Sequence, residues 1–350
     1  PNEITFVSIL NACGHAEATD TGKQIHEEII DRGFLKKNLV LGTALVDMYS
    51  KCGMLAKAHQ ILEYLHDRDT ICWNVLIAGY AQQEQDCEAL MCFEQMQREA
   101  ISPDEFTFVS ILKVCGNIKD IDMGKQIHDK IVTRGLLDQN IILGNGLEDM
   151  YTKCGALAEA QQVLENLPVR DVVSWNTLIS GYAQEERGHE ALTCFAQMQK
   201  EGHSPNEITF ICILKACGSI GAVDKGKEIH DRIVGGRLLE KNTMLGTTVV
   251  DMYAKCGMLA KAHNVLQQLP MRDTVSWNAL IAGYAQEGYC DETLNCVKQM
   301  ELEGFSPNEV TFLCVLSACS HSGKLDEAQL YYENMSRKHG IPLKPEHHAC

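Results

Sequence analysis

The feature that most constrains this chain is that it repeats itself at a fixed distance. GKQIH begins at Gly22 and Gly124 and GKEIH at Gly226, each 102 residues after the one before. DMYSKCG from Asp47, DMYTKCG from Asp149 and DMYAKCG from Asp251 keep that interval, as do Trp73, Trp175 and Trp277. PNEITF at Pro1, PDEFTF at Pro103, PNEITF at Pro205 and PNEVTF at Pro307 mark successive starts of the unit. Self-similarity at a fixed period is the signature of a stacked array, in which no unit buries its apolar face alone.

Each unit divides again at its Pro and Asp/Asn punctuation into segments of about 36, 31 and 35 residues, each the size of one helical hairpin. In the second unit these are Glu105 to Asn140, Ile141 to Asp171 and Val172 to Asn206. Within the third segment Trp175, Leu178, Ile179 and Tyr182 fall at i, i+3, i+4 and i+7, the stripe of an amphipathic helix. Past Gly188, Ala191, Leu192, Phe195 and Met198 repeat the pattern, and Gly202 and Pro205 supply a stop. Strand-like alternation with turn dipeptides is absent. The pattern therefore predicts an all-α fold of about nine complete hairpins, with the start of two further segments. Ser174 and Ser276 are placed to cap their helices, whereas Cys72 at the matching position is a poorer cap.

Charge and cysteine content narrow the function classes. Lys and Arg total 31 against 47 Asp and Glu, a formal charge of -16, so the chain as a whole does not attract a phosphate backbone. Lys51, Lys153 and Lys255, and Lys23, Lys125 and Lys227, recur in phase and are placed to form two basic rows or simply solvated helix surface. Sixteen cysteines in a long chain rich in aliphatic residues point to a reducing compartment rather than a disulfide framework. No apolar run approaches the length of about 18 residues that spans a membrane.

Three stretches carry a family resemblance: VSWNTLISGYAQ…EALTCFAQMQKEGHSPN, NGLEDMYTKCGALAEAQQVLENLPVRD and PDEFTFVSILKVCGNIKDIDMGKQIH. They resemble the standard, short and long motifs of plant pentatricopeptide repeat proteins of the PLS subclass, in register over nearly the whole chain. Divided by that resemblance, long motifs cover residues 3–38, 105–140, 207–242 and 309–344, and short motifs cover 39–69, 141–171 and 243–273. Standard motifs cover 70–104, 172–206 and 274–308, and 345–350 begin a truncated short motif. The tetratricopeptide pattern, with its Leu-Gly pair, is not present.

The resemblance implies a right-handed α-solenoid that binds single-stranded RNA in a mitochondrion or chloroplast. It also implies that each motif faces one base with its fifth and last side chains. Those pairs are Asn74 with Asp104, Asn176 with Asn206 and Asn278 with Asn308 in the standard motifs. In the short motifs they are Thr43 with Asp69, Asn145 with Asp171 and Thr247 with Asp273. Helical geometry puts the asparagine after tryptophan about 100° off the buried stripe, free to point at a ligand. Val40, Ile71, Ile142, Val173, Met244 and Val275, second in their motifs, would clamp bases. The fifth residues of the long motifs, Val7, Val109, Ile211 and Leu313, cannot hydrogen-bond and are left unassigned.

A deaminase or other editing-complex protein is the implied partner, with catalysis outside this chain, and no cofactor is expected. A protein-binding solenoid without RNA readout is the alternative, since an acidic concave surface suits a basic partner. Recurrent His26, His128 and His230, and Cys13, Cys115, Cys217 and Cys319, stand too far apart for one shared metal and read as packing residues, as do Cys52, Cys154 and Cys256. His26-Glu27-Glu28 matches half of a zinc-deaminase signature, but no P-C-x-x-C half accompanies it.

Overall fold

The computed structural model describes residues 1–35, 38–138, 140–240 and 242–342. Lys344 and the expected truncated motif at 345–350 lie outside the described residues. The described residues form twenty α-helices, a short 3-10 turn at Leu238–Glu240 and no strand.

In the unit Pro1–Thr177 the helices pair as hairpins. These are α1 (Glu3–His15) with α2 (Thr19–Asp31), α3 (Leu39–Lys51) with α4 (Leu55–Tyr64), and α5 (Thr70–Gln82) with α6 (Asp86–Arg98). Next come α7 (Glu105–Ile118) with α8 (Ile121–Thr133) and α9 (Ile141–Lys153) with α10 (Leu157–Asn166). Helix α11 (Val172–Gln184) begins in this unit and continues into the unit Leu178–Cys350, where α12 (Gly188–Lys200) follows. That unit pairs α13 (Glu207–Ser219) with α14 (Val223–Gly235) and α15 (Thr243–Lys255) with α16 (Leu259–Gln268). It ends with α17 (Thr274–Gln286) and α18 (Cys290–Leu302), then α19 (Glu309–His321) and α20 (Leu325–Arg337). Among the described residues the hairpins thus number ten rather than nine. The last one completes itself because α19 carries its own apolar stripe, with Phe312, Val315, Leu316 and Cys319 all buried.

Within each unit, first helices pack on first helices: α1 on α3, α3 on α5, α5 on α7 and α7 on α9, then α13 on α15, α15 on α17 and α17 on α19. Second helices form a layer behind and touch the next first helix: α2 on α3, α4 on α5, α6 on α7 and α8 on α9, then α12 on α13, α14 on α15, α16 on α17 and α18 on α19. The predicted stripe is the core: Trp175, Leu178, Ile179 and Tyr182 are buried, like Trp73, Leu76, Ile77 and Tyr80, and Trp277, Leu280 and Ile281.

Two of the recurring sequence blocks are the two halves of one interface. The glycine of the GK(Q/E)IH block allows the second helix of a long segment to approach the next first helix, for a Cβ at Gly124 would lie 2.4 Å from the Met150 sulfur of DMY. One turn on, the histidine ring meets the tyrosine of DMY: His26 Nδ1 is 3.0 Å from the Tyr49 hydroxyl, His128 2.9 Å from Tyr151 and His230 3.1 Å from Tyr253. The histidines are therefore hydrogen-bonded links between hairpins, more than packing residues. The KCG block is the turn inside the short hairpin, where Gly53, Gly155 and Gly257 take φ values of 75°, 74° and 71° that favour glycine. Its cysteines are half-buried rather than buried. Cys115 and Cys217 are fully buried, and burial pushes their thiols up to about 12, so they stay protonated.

The caps differ from the sequence expectation. Ser276 is not an N-cap but the third residue of α17, which Asp273 caps by accepting from the Ser276 N–H at 2.8 Å. Ser174 stands in the same relation to Asp171, at 2.9 Å, and Cys72 to Asp69, also at 2.9 Å. A carboxylate or amide one residue before the helix reaches the third N–H, whereas a serine inside the first turn cannot cap itself.

Trp73→Ala should cost about 3 to 5 kcal/mol, because it empties a fully buried site. Hydrogen exchange should locate the loss in α5, α6 and the adjoining hairpins, leaving remote ones protected. Burial lowers the pKa of His26, His128 and His230 from the ordinary 6.5. The unfolded chain then takes up protons that the folded chain refuses, so stability is full above pH 6.5 and declines as pH falls through the lowered folded-state values. Thermal melting followed between pH 7.5 and 5.5 should show this decline, and replacing all three histidines with glutamine should flatten it.

Candidate nucleic-acid interface

The candidate site grows out of the caps. Every first helix is entered through an Asn or Asp that accepts from an N–H of its first turn: Asn2, Asn38, Asp69, Asp104, Asn140, Asp171, Asn206, Asn242, Asp273 and Asn308. Six of these are the last-position residues expected to face a base. Their side chains are pinned by helix geometry at the start of the layer of first helices.

The fifth-position asparagine of the preceding hairpin reaches this cap. Asn74 Nδ2 donates to both carboxylate oxygens of Asp104, at 2.8 and 2.9 Å, while Asn74 Oδ1 accepts from the Thr107 hydroxyl at 2.5 Å. Asn278 Nδ2 donates to Asn308 Oδ1 at 3.0 Å, and Thr311 donates to Asn278 Oδ1 at 2.7 Å. Asn145 Oδ1 accepts from the Ser174 hydroxyl at 2.7 Å, beside Asp171. Burial raises the Asp171 pKa, yet the hydrogen bonds from Ser174, the Val173 backbone and Asn145 outweigh it and hold the carboxyl below its usual value.

These side chains are not free to swing toward a ligand, as the helical angle alone implied. Asn74 and Asn145 are half-buried, and Asn176 and Asn278 are only 7 % exposed. An amide with partners within reach pairs with them rather than standing in solvent. The fifth-position threonines behave differently. Thr43 donates to its own helix at Leu39 O and lies 2.9 Å from the Cys72 sulfur, and the buried Thr247 hydroxyl has no hydrogen-bond partner among the described residues.

The second-position residues are strongly exposed despite being apolar. Val40, Ile71, Ile142 and Val173 in the first unit, and Met244 and Val275 in the second, show 57 to 66 % of their surface. The long segments add residues that the sequence reasoning passed over, Ile4, Phe106, Ile208 and Val310, at 50 to 76 %. The same register would have found them. In the first unit Ile71, Phe106 and Ile142 line an open cleft of about 740 Å³ together with Asn74, Asp104 and Val109. The part that the Thr107, Ser174 and Thr311 hydroxyls play at the fifth-position asparagine was also missed, although Asn/Asp followed three residues later by Ser/Thr is a legible capping pattern.

Five of the six lysines in the two basic rows are paired with acids. Lys51, Lys153 and Lys255 pair one turn back with Asp47, Asp149 and Asp251 at 2.7 to 2.9 Å. Lys23 meets Asp20 at 3.5 Å and Lys125 meets Glu159 at 3.3 Å. Lys51 and Asp47 both border the cleft, so its lip carries a compensated pair rather than a bare cation. Among the described residues no group of three His, Cys, Asp or Glu could hold a metal ion, and no helix is long and apolar enough to cross a membrane.

Stacked hairpins with a regular polar position on each first helix define a helical-repeat protein, and the comparisons say which. The PPR repeat family model matches residues 68–117, 170–219 and 272–321, and the PPR repeat model matches 43–69, 247–273 and 310–339. The chain belongs to the pentatricopeptide repeat family. It is 36% identical over its whole length to the pentatricopeptide repeat-containing protein At3g57430, chloroplastic, of Arabidopsis thaliana, and spans 40% of that protein. It is 34% identical, again over its whole length, to At1g06140, mitochondrial, of the same plant, and spans 62% of it. The solved structure of PPR10 in complex with an 18-nt psaJ RNA element covers 96% of this chain, which in turn covers 50% of PPR10, at TM-score 0.81 and 18% identity. The structure of PPR10 from maize gives 0.67 at 20% identity over 99% of this chain and 55% of PPR10. The fold is therefore the α-solenoid of that family.

Asp104→Ala should destabilise the first unit by about 1 kcal/mol through loss of the α7 cap, while Asp104→Asn should stay within a few tenths. Urea titrations of the three proteins would measure the difference.

Proposed function

We propose that this chain binds single-stranded RNA sequence-specifically, one base per hairpin. We further propose that it does so as the targeting module of an organellar C-to-U editing or RNA-processing factor of the PLS subclass. The observation that carries this reading is the cleft around Asn74 and Asp104. There a hydrogen-bonding pair sits on the floor between exposed apolar side chains from neighbouring hairpins. A flat base offers such a cleft an apolar face on each side and a polar edge below.

Counting lone pairs shows what each cap has left to offer. In Asp104, Oδ1 accepts from Thr107 N and Asn74, and Oδ2 accepts from Asn74, so Oδ2 keeps a lone pair. In Asn308, Oδ1 accepts from Thr311 N and Asn278, and Nδ2 has no partner among the described residues. The atom that caps is the same in both; the other atom differs. Aspartate then suits the ring N–H of guanine or uracil, and asparagine suits the accepting ring nitrogen of adenine or cytosine. With Thr or Asn at the fifth position separating purine from pyrimidine, as in the family, the first nine hairpins read unassigned, G, U, unassigned, U, C, unassigned, G, C. The 5′ end lies toward the N-terminus.

Because Lys51 and its equivalents are paired, affinity rests on repeated base contacts along a preorganised surface more than on phosphates. The chloroplastic and mitochondrial names of the relatives support an organelle as the site of action. Catalysis would fall to a deaminase outside this chain, acting as its partner.

Selection from a random RNA library should enrich this register, and a flat result would favour the protein-binding alternative. Asn308→Asp and Asn206→Asp should each move one position from cytosine toward uracil with no loss of stability. An unaltered preference in competition binding would reject the pairing of residues with bases.

A further inference from the structure

The hydroxyls of Thr107, Ser174 and Thr311 belong to the hairpin after the one whose base is read, yet each donates to the fifth-position asparagine. We infer that these residues are positioning residues for specificity: each fixes which way the asparagine amide of the preceding hairpin faces. The inference rests on the base-reading function proposed above and names a residue that the reading itself does not use.

A threonine hydroxyl has one proton to give. Around Thr107 it can go to Asn74 Oδ1 at 2.5 Å or to Asp104 Oδ1 at 3.0 Å. The shorter contact takes it, and the Asp104 carboxylate is already supplied by the Thr107 N–H and by Asn74 Nδ2. The hydroxyl in turn accepts from the Asp104 N–H at 3.1 Å, which closes the ring. Thr311 repeats this arrangement, accepting from the Asn308 N–H at 3.1 Å and donating to Asn278 at 2.7 Å. Ser174 does so with Asp171 N at 3.3 Å and Asn145 at 2.7 Å. Thr107, Ser174 and Thr311 are fully buried, so water does not substitute for the donor.

The consequence is a fixed polarity. With Oδ1 held by the hydroxyl, the asparagine turns Nδ2 toward the cap; one hydrogen, shared between the two Asp104 oxygens at Asn74 and given to Asn308 Oδ1 at Asn278, leaves the other Nδ2 hydrogen for a ligand. At the ring position between the two nitrogens, uracil and cytosine both present a carbonyl oxygen, an acceptor. Guanine presents an amino group there and adenine a C–H. An amide held as a donor therefore favours both pyrimidines, and the cap chooses between them. Without the hydroxyl, a flipped amide offers an acceptor at that place. The threonine sites fit this logic, because Thr43 and Thr247 receive no such hydroxyl: Cys72 supplies a thiol, and Ser276 turns to Asp273 O at 2.8 Å.

The experiment compares base preference, position by position, for the whole chain and for Thr107→Val, Thr107→Ser and Ser174→Ala. The probes are RNAs that carry each of the four bases at the position facing the altered hairpin. Thr107→Val should lower pyrimidine-over-purine discrimination roughly tenfold at the Asn74 position alone, and Thr107→Ser should restore it. Ser174→Ala should do the same at the Asn145 position, so a folding defect in one variant does not decide the outcome. Discrimination unchanged in both Thr107→Val and Ser174→Ala, with the unaltered chain selecting pyrimidines, overturns the inference and leaves base reading standing. An equal loss at every position would mean a merely structural role and also overturns it. Absence of pyrimidine preference in the unaltered chain overturns the base reading, and this inference with it.

Discussion

The packing of first helix on first helix is the constraint on which the rest of this protein depends. Once α3 lies against α5 and α5 against α7, the spacing and direction of every residue at the start of those helices is set. A side chain chosen to satisfy an orphan N–H is then also delivered, at regular intervals, to one layer of its unit. The polar positions are therefore not grafted onto the scaffold. They are the points at which its helices begin, and the buried tryptophans and the His–Tyr links behind them keep those points in register.

Much of this was legible in the sequence, for physical reasons that differ from element to element. The helices could be read because Trp175, Leu178, Ile179 and Tyr182 repeat at the helical interval and bury together. The hairpin length could be read because Asp or Asn stands where a first helix begins, often just after a Pro, as Asp104, Asp171 and Asn206 do. The cap assignment went astray at Ser174 and Ser276. Sequence alone offers two plausible cappers three residues apart, and only geometry shows that the aspartate reaches forward while the serine hydroxyl turns to other partners.

The chemistry of the site was less legible, because it is made of contacts across hairpins. The register placed Asn74 off the buried stripe, but nothing in a single helix told that its amide would be gripped by Asp104 and Thr107, 30 and 33 residues on. The lysines illustrate the same limit from the other side. Their recurrence looked like a basic track until Asp47, Asp149 and Asp251, one turn earlier in the same block, took them as partners. An acidic chain thus compensates the cations nearest the cleft, and the base reading proposed above rests on directional hydrogen bonds rather than on charge.

The cap itself carries a last consequence. Asn and Asp serve a helix N-terminus about equally well, so drift between them at Asp104 or Asn308 is nearly invisible to folding. The two amino acids are also one nucleotide apart in the genetic code. Under the base reading proposed above, a lineage of such chains changes what it recognises one letter at a time, by a mutation that quality control has no means of noticing.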